Sequence, residues 1–308
     1  FWIRDFVQVL AKLHYAASPF YHQQSVEENR IMAAFLEQSK LTAFSNQREP
    51  KKLISRQQML ANLRLAFIYA PDDPAKLRVL GKEKEFGRLI FRVTDFMEEL
   101  NGEEVNKLSL HQAKKRLWIS MARNLVFNEK ETFATAFTRY WYIFNRIAYF
   151  KKYRSFKLKG RFRKATGTDF NHMAAVGFAS WAFYSQPERQ KRLSQPHEFI
   201  FNRSYFRKTN TNTRRKLIRA LKNLSGDWNY FRSEFRKQPK DAGQHFSFMP
   251  IWRKPILQQE KEAFYILDTQ YLEERLSIGA FWFIYDEAIL TGEADFVKGM
   301  WGNIFEAY

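Results

Sequence analysis

The sequence predicts a mainly α-helical protein, a multi-helix array with one small β-hairpin near residues 250–268. Three observations predict it. Apolar residues recur at i, i+3, i+4, i+7 through most of the chain. Capping and breaker residues stand at the ends of those stretches. Short β-rich runs flank a polar tetrad near residue 260. Composition agrees: 45% hydrophobic and 17% aromatic residues in a chain of 308 supply material for a core, and 27% charged residues suit a solvated surface.

The elements follow in order. WIRDFVQVLAKLHYAA sets Ile3, Phe6, Val7, Leu10 and Leu13 on one face. VEENRIMAAFLEQSKLTAF adds Ile31, Met32, Phe35 and Leu36 behind acidic residues in its first turn, where the helix dipole favours them. ISRQQMLANLRLAFIYAPDD is expected to start on a capping box of Ser55 and Gln58 and to stop before Pro71. KEKEFGRLIFRVTDFMEELNG brings Phe86, Leu89, Ile90, Val93, Phe96, Met97 and Leu100 into phase and ends at Gly102. Two more helices are expected in SLHQAKKRLWISMARNLVF and EKETFATAFTRYWYIFNRIAYFKKY.

TDFNHMAAVGFASWAFYSQPE reads as an apolar helix from Asp169, an N-cap, to the Pro187 turn. TNTNTRRKLIRALKNL carries the stripe Leu217, Ile218, Leu221, Leu224, with Arg214, Arg215, Lys216, Arg219 and Lys222 on its other sides. PIWRKPIL and EAFYILD, separated by QQEK, form the expected hairpin, and Thr269 is expected to cap the helix after it. GMWGNIFEAY reads as a helix just beginning. No repeat of 20–50 residues is evident, which disfavours a strict solenoid. The expected division is a helical domain over 1–150, a basic helical region over 151–245, and hairpin plus helices over 246–308. FWIRDFVQVL opens in helical periodicity without a Met, so the chain is expected to belong to a longer protein.

The net charge of +19 is uneven. Residues 150–240 hold 23 Lys or Arg against five acids, a difference of +18, while the remaining 28 basic and 27 acidic residues nearly cancel. Such asymmetry is expected of a polyanion-binding face. Its densest part is FKKYRSFKLKGRFRK, residues 150–164. There Lys157, Lys159, Arg161 and Arg163 alternate with Phe156, Leu158 and Phe162. In an extended strand that period of two separates a phosphate-facing side from an anchoring side, and aromatic residues beside it could stack on the bases of a single strand.

Other chemistries find little support. The chain has no Cys, which excludes disulfide frameworks, cysteine zinc sites and thiol catalysis. Its six His are scattered, with no HxxxH or HxH pair, so no metal site is expected. The acids of DEAILTGEAD read as a solvated helix end rather than a metal cluster. Phosphate-binding loops, GxGxxG and GxSxG are absent, which removes ATPase, dehydrogenase and esterase readings. Arg192 and His197 fit the Arg-x4-His spacing of HEPN-type ribonucleases, although Pro196 opposes one helix carrying both. Glu49-Pro50-Lys51 imitates the end of a PD-(D/E)xK motif but lies in a loop-like stretch.

PIWRKPILQQEKEAFYILDTQYLEERLSIGAFWFIYD followed by GMWGNIFEAY resembles the end of the helical N-terminal region of large bacterial anti-phage defence and restriction-type proteins. The resemblance covers residues 248–308. In that family a proline-led strand, a tyrosine-containing strand and a Gly-aromatic helix precede a G-x-x-F-E-x-Y helix that leads into a PD-(D/E)xK-like nuclease domain. The resemblance implies Glu306 as a first acidic member of a nuclease site completed beyond Tyr308. The later Asp and Glu-x-Lys strands are not in this sequence, so the segment holds no complete catalytic site. A divalent metal is implied only with such a downstream domain, and no cofactor is expected within the segment.

The expected function is sequence-nonspecific nucleic-acid backbone binding, DNA more than RNA, within a larger bacterial defence or nuclease assembly. The contacts are expected from Lys151, Lys152, Arg154, Lys157, Lys159, Arg161, Arg163 and Lys164, from Arg203, Arg207 and Lys208, and from Arg214, Arg215 and Arg219. One alternative is a protein-interaction scaffold whose basic face docks an acidic partner or another domain of the same chain. A second is a HEPN-like ribonuclease. No membrane association is expected and the location is expected to be cytoplasmic, since no apolar run approaches membrane length and no signal peptide opens the chain.

Overall fold

The computed structural model describes residues 1–14, 56–79, 81–82, 84–93, 109, 133–185, 201–202, 209–237, 248–260 and 263–306. Among these the helices are α1 (Ile3–His14), α2 (Arg56–Tyr69), α3 (Phe133–Asn145), α4 (Leu158–Thr166), α5 (Phe170–Ser185) and α6 (Thr211–Leu224). They continue with α7 (Trp228–Lys237), α8 (Met249–Arg253), α9 (Thr269–Leu276), α10 (Gly279–Leu290) and α11 (Ala294–Glu306). Two 3-10 helices, Ile147–Tyr149 and Lys151–Phe156, join α3 to α4. The strands are β1 (Phe201–Asn202), β2 (Ser225–Asp227), β3 (Ile256–Glu260) and β4 (Ala263–Ile266). The fold is mainly α with a small β element, as the periodicity predicts.

The chain divides into two units, one of Phe1–Lys130 with Tyr230–Met249, the other of Glu131–Asn229 with Pro250–Tyr308.

In the first unit α1 packs on α2, burying Ile3, Phe6, Val7 and Leu10 with Met59, Leu60, Leu63 and Phe67. Those four α1 residues are the expected stripe; the side chain of Leu13 lies outside the described residues. Arg4 holds Asp72 in a fork at 3.0 and 3.2 Å, and Trp2 Nε1 donates to the same carboxylate, tying the start of α1 to the turn after α2. Phe67 stacks on Phe231 and Phe235 of α7 at 4.9 and 5.9 Å. In the helical residues 84–93, Phe86 and Ile90 are buried, but Leu89 is 39% exposed. The buried stripe there is narrower than expected, because contact with Phe1 and Phe6 selects Phe86 and the residue one turn on. Ser55 of the expected capping box lies outside the described residues.

In the second unit Phe144 of α3 stacks on Phe170 of α5 at 4.5 Å, and Phe162 of α4 meets both rings edge-on. Gly177 lets α5 approach α9: a Cβ there would stand 2.8 Å from Leu276 Cδ2. Asn210 caps α6 by accepting from the Thr213 N–H; Leu217, Leu221 and Leu224 of the expected stripe are buried, while Ile218 is half-buried and Ala220 is buried in addition.

The expected hairpin forms as β3 and β4, antiparallel with Ile256 opposite Ile266 and a bulge between Gln258 and Glu260. It is the centre of a four-stranded sheet ordered β1-β4-β3-β2, in which β2 runs parallel to β3. Two- and three-residue strands have no period of their own, so β1 and β2 exist only through their pairing. Asp268, not Thr269, caps α9: its carboxylate accepts from the Tyr271 N–H at 2.6 Å, and Thr269 is the first helical residue. α11 begins at Ala294, so GMWGNIFE is its second half rather than a helix opening.

Candidate functional site

The basic segment 150–164 is helical, not extended. The expected period of two yields to two tighter ones. Over Lys151–Phe156 the chain has three residues per turn, so Lys151 and Arg154 form one row while the opposite side buries Tyr153. From Leu158 the period becomes that of an α-helix, and Leu158, Phe162 and Thr166 at i, i+4, i+8 are buried. Leu158 and Phe162 therefore anchor the segment, as their apolar character predicts, but from a helix face. Between the two helices Lys157 takes a left-handed conformation, φ 48°, at a cost for a non-glycine residue of about 1 kcal/mol. α4 ends on Gly167, also left-handed, whose N–H donates to the Arg163 carbonyl.

The turn from α4 into α5 docks on α6 and brings the two expected basic clusters together. Thr168 Oγ1 donates to the Lys216 carbonyl at 3.1 Å, Arg219 donates to the Gly167 carbonyl at 3.3 Å, and Asn223 donates to the Thr166 carbonyl at 2.8 Å. Asp169 stands at the expected N-cap position directly before α5, its carbonyl accepting from the His172 and Met173 N–H groups, and turns its carboxylate to cations: Arg163 Nε at 2.8 Å and Lys216 Nζ at 3.5 Å. Burial pushes the Asp169 carboxyl up, but Arg163 and Lys216 together hold it below its ordinary value. His172 Nδ1 lies 3.6 Å from the same carboxylate. Burial, then the Lys216 charge, depresses the imidazole pKa against the opposing pull of Asp169.

Several expected phosphate contacts are engaged within the unit. Arg161 forks onto Glu293 at 2.8 and 3.4 Å, and this pairing holds the Glu293 carboxyl below its usual range. Lys164 Nζ lies 2.6 Å from Glu287. Arg163 is taken by Asp169. A cation already facing a carboxylate offers less to a phosphate, because the carboxylate repels it. Two of the acids in DEAILTGEAD therefore serve as counterions to α4, a role that sequence spacing of more than a hundred residues conceals. Lys159 donates to Tyr149 Oη at 2.7 Å and lies 4.2 Å from the ring centroid.

Lys151, Lys152, Arg154, Lys157, Arg214, Arg215 and Lys222 have no acidic partner among the described residues. All but the half-buried Arg214 are exposed. Beside the first four stand Tyr149, 59% exposed, and Phe150, 49% exposed. Charge spacing does not mark either aromatic; the signal is a large ring flanking cations that have no acidic partner among the described residues.

Arg192, His197, Arg203, Arg207, Lys208 and the Glu49-Pro50-Lys51 stretch lie outside the described residues. Glu306 is the last helical residue of α11, its side chain undescribed. Among the described residues no three His, Asp or Glu gather as a metal site, and no helix is long and apolar enough to cross a membrane. No family model, curated protein or solved structure matches the chain.

Proposed function

We propose that the second unit presents a polyanion-binding face that holds nucleic-acid backbone, DNA more than RNA, without reading base sequence. One observation carries this. After the internal ion pairs are counted, the 3-10 helix Lys151–Phe156 with Lys157, and the outer side of α6, still expose cations with no carboxylate beside them among the described residues. Flexible ammonium and guanidinium groups on a convex helical surface suit phosphate neutralisation, while base reading needs a helix or ribbon shaped to a groove. The docked α4–α5 turn supports the reading by fixing the two clusters on one unit. By its resemblance at residues 248–308, the face would serve as the recognition or clamp region of a larger defence or nuclease assembly.

A second reading, a face that docks an acidic protein or another domain, draws on the carboxylates of Glu287, Glu293 and Asp169, which this surface already accepts. Titration of duplex DNA, single-stranded DNA and RNA across a salt series separates the two. Phosphate contacts give log affinity falling steeply with log salt. A slope near zero, or no binding at low salt, refutes the nucleic-acid reading.

A further inference from the structure

We infer that Tyr149 and Phe150, with Lys151, Arg154 and Lys157, form a platform for an unpaired nucleic-acid strand, the two rings stacking on bases and the cations following the backbone. The inference rests on the polyanion-binding reading and assigns its strand class.

The sequence here has a period of three. Aromatic residues stand at 150, 153 and 156, basic residues at 151, 154 and 157. The chain between them is a 3-10 helix, whose three residues per turn and rise of about 2.0 Å per residue align side chains at i and i+3. Its aromatic row roots it: Tyr153 is 5% exposed, and Phe156 lies against Tyr153 and Phe296 at 5.8 and 6.2 Å. The basic row consequently faces outward, with Lys151 and Arg154 about 6 Å apart along the axis. That separation is comparable to one nucleotide of an extended backbone.

The head of the aromatic row is not buried, and neither is its chain neighbour Tyr149, which stands off the period of three. Phe150 is 49% exposed and Tyr149 59%. Lys159 fixes the Tyr149 ring by its hydrogen bond to Oη and its place over the ring face. Rings exposed beside cations that have no acidic partner among the described residues suit a ligand that is anionic along its backbone and aromatic in its side groups. A duplex meets only half of that description, because its base faces are covered by their neighbours in the stack. An unpaired strand meets all of it, and aromatic stacking tolerates any base. An acidic peptide would neutralise the cations and leave the rings uncovered.

The test is anisotropy titration of the full chain with a labelled single strand of about 16 nucleotides and with its duplex, at one salt concentration. Tyr149→Ala with Phe150→Ala is expected to weaken the single strand about tenfold or more, as loss of stacking does, and to leave the duplex unchanged. Tyr149→Phe should retain single-strand binding. Phe150→Leu, which keeps apolar bulk without a π-face, should lose it while unfolding like the parent. Undiminished single-strand binding in the double variant, or equal loss on both probes, overturns the platform and leaves the backbone-binding reading standing. If the parent binds neither probe, both fall.

Discussion

Removing cations that lack a carboxylate should change the salt dependence of binding, whereas removing cations that already have one should not. Lys151, Arg154 and Lys157 have no acidic neighbour among the described residues, while Arg161 and Lys164 face Glu293 and Glu287 at 2.8 and 2.6 Å. Each phosphate contact to a single strand contributes about 0.7 to the slope of log affinity against log salt. Replacing Lys151, Arg154 and Lys157 by Gln removes three such contacts, so the slope should become shallower by about 2. Replacing Arg161 and Lys164 by Gln removes the same kind of charge from the same segment. It frees two carboxylates but takes away no phosphate contact, so the slope should stay within about 0.5 of the parent's. Equal shallowing in both variants would refute the assignment of paired and unpaired cations, and an unchanged slope in the first would remove Lys151–Lys157 from the interface.

Gly177→Ala places a Cβ 2.8 Å from Cδ2 and 2.9 Å from Cγ of Leu276, which is 1% exposed and cannot retreat to solvent. Overpacking of about 1–3 kcal/mol, set against about 1 kcal/mol of helix propensity gained, predicts net destabilisation of up to about 2 kcal/mol; an unfolding midpoint equal to or above the parent's refutes it. His172 and Asp169 both predict acid lability. The folded imidazole titrates below its ordinary 6.5, so its contribution is present at neutral pH and is lost as pH falls through 6.5 toward the folded value. The folded Asp169 carboxyl titrates below 3.8, so its contribution holds above 3.8 and is lost as pH falls through the folded value. Denaturant unfolding at about pH 7.5 and about pH 5.5 should show a smaller loss in His172→Gln than in the parent, and equal losses would refute the His172 contribution.

Legibility in the sequence tracked the range of the interaction responsible. The stripes Ile3, Phe6, Val7, Leu10 and Leu217, Leu221, Leu224 were readable because helical burial repeats every three or four residues. The hairpin was readable because its two strands are neighbours in the chain. The sequence leaves the cap of α9 open by one residue, since Asp268 and Thr269 are both good caps and only backbone geometry at Asp268 decides between them. The candidate site was half legible. Its charge excess and its two clusters stand in the composition, but their internal counterions do not.

That the protein is helical, that its excess charge lies between residues 150 and 240, and that Leu158 and Phe162 are anchors follows from composition and short-range periodicity alone. Tertiary structure decided the rest. The alternation of Lys and apolar residues from 156 to 163 is compatible with a strand and with a helix, since Leu158 and Phe162 are an even number of residues apart and also one helical turn apart. The aromatic pocket of Phe144 and Phe170 accepts Phe162 from a helix. With that choice made, Arg161 and Lys164 turn toward α10 and Glu293, and the outward charge of the segment shifts to Lys151, Arg154 and Lys157.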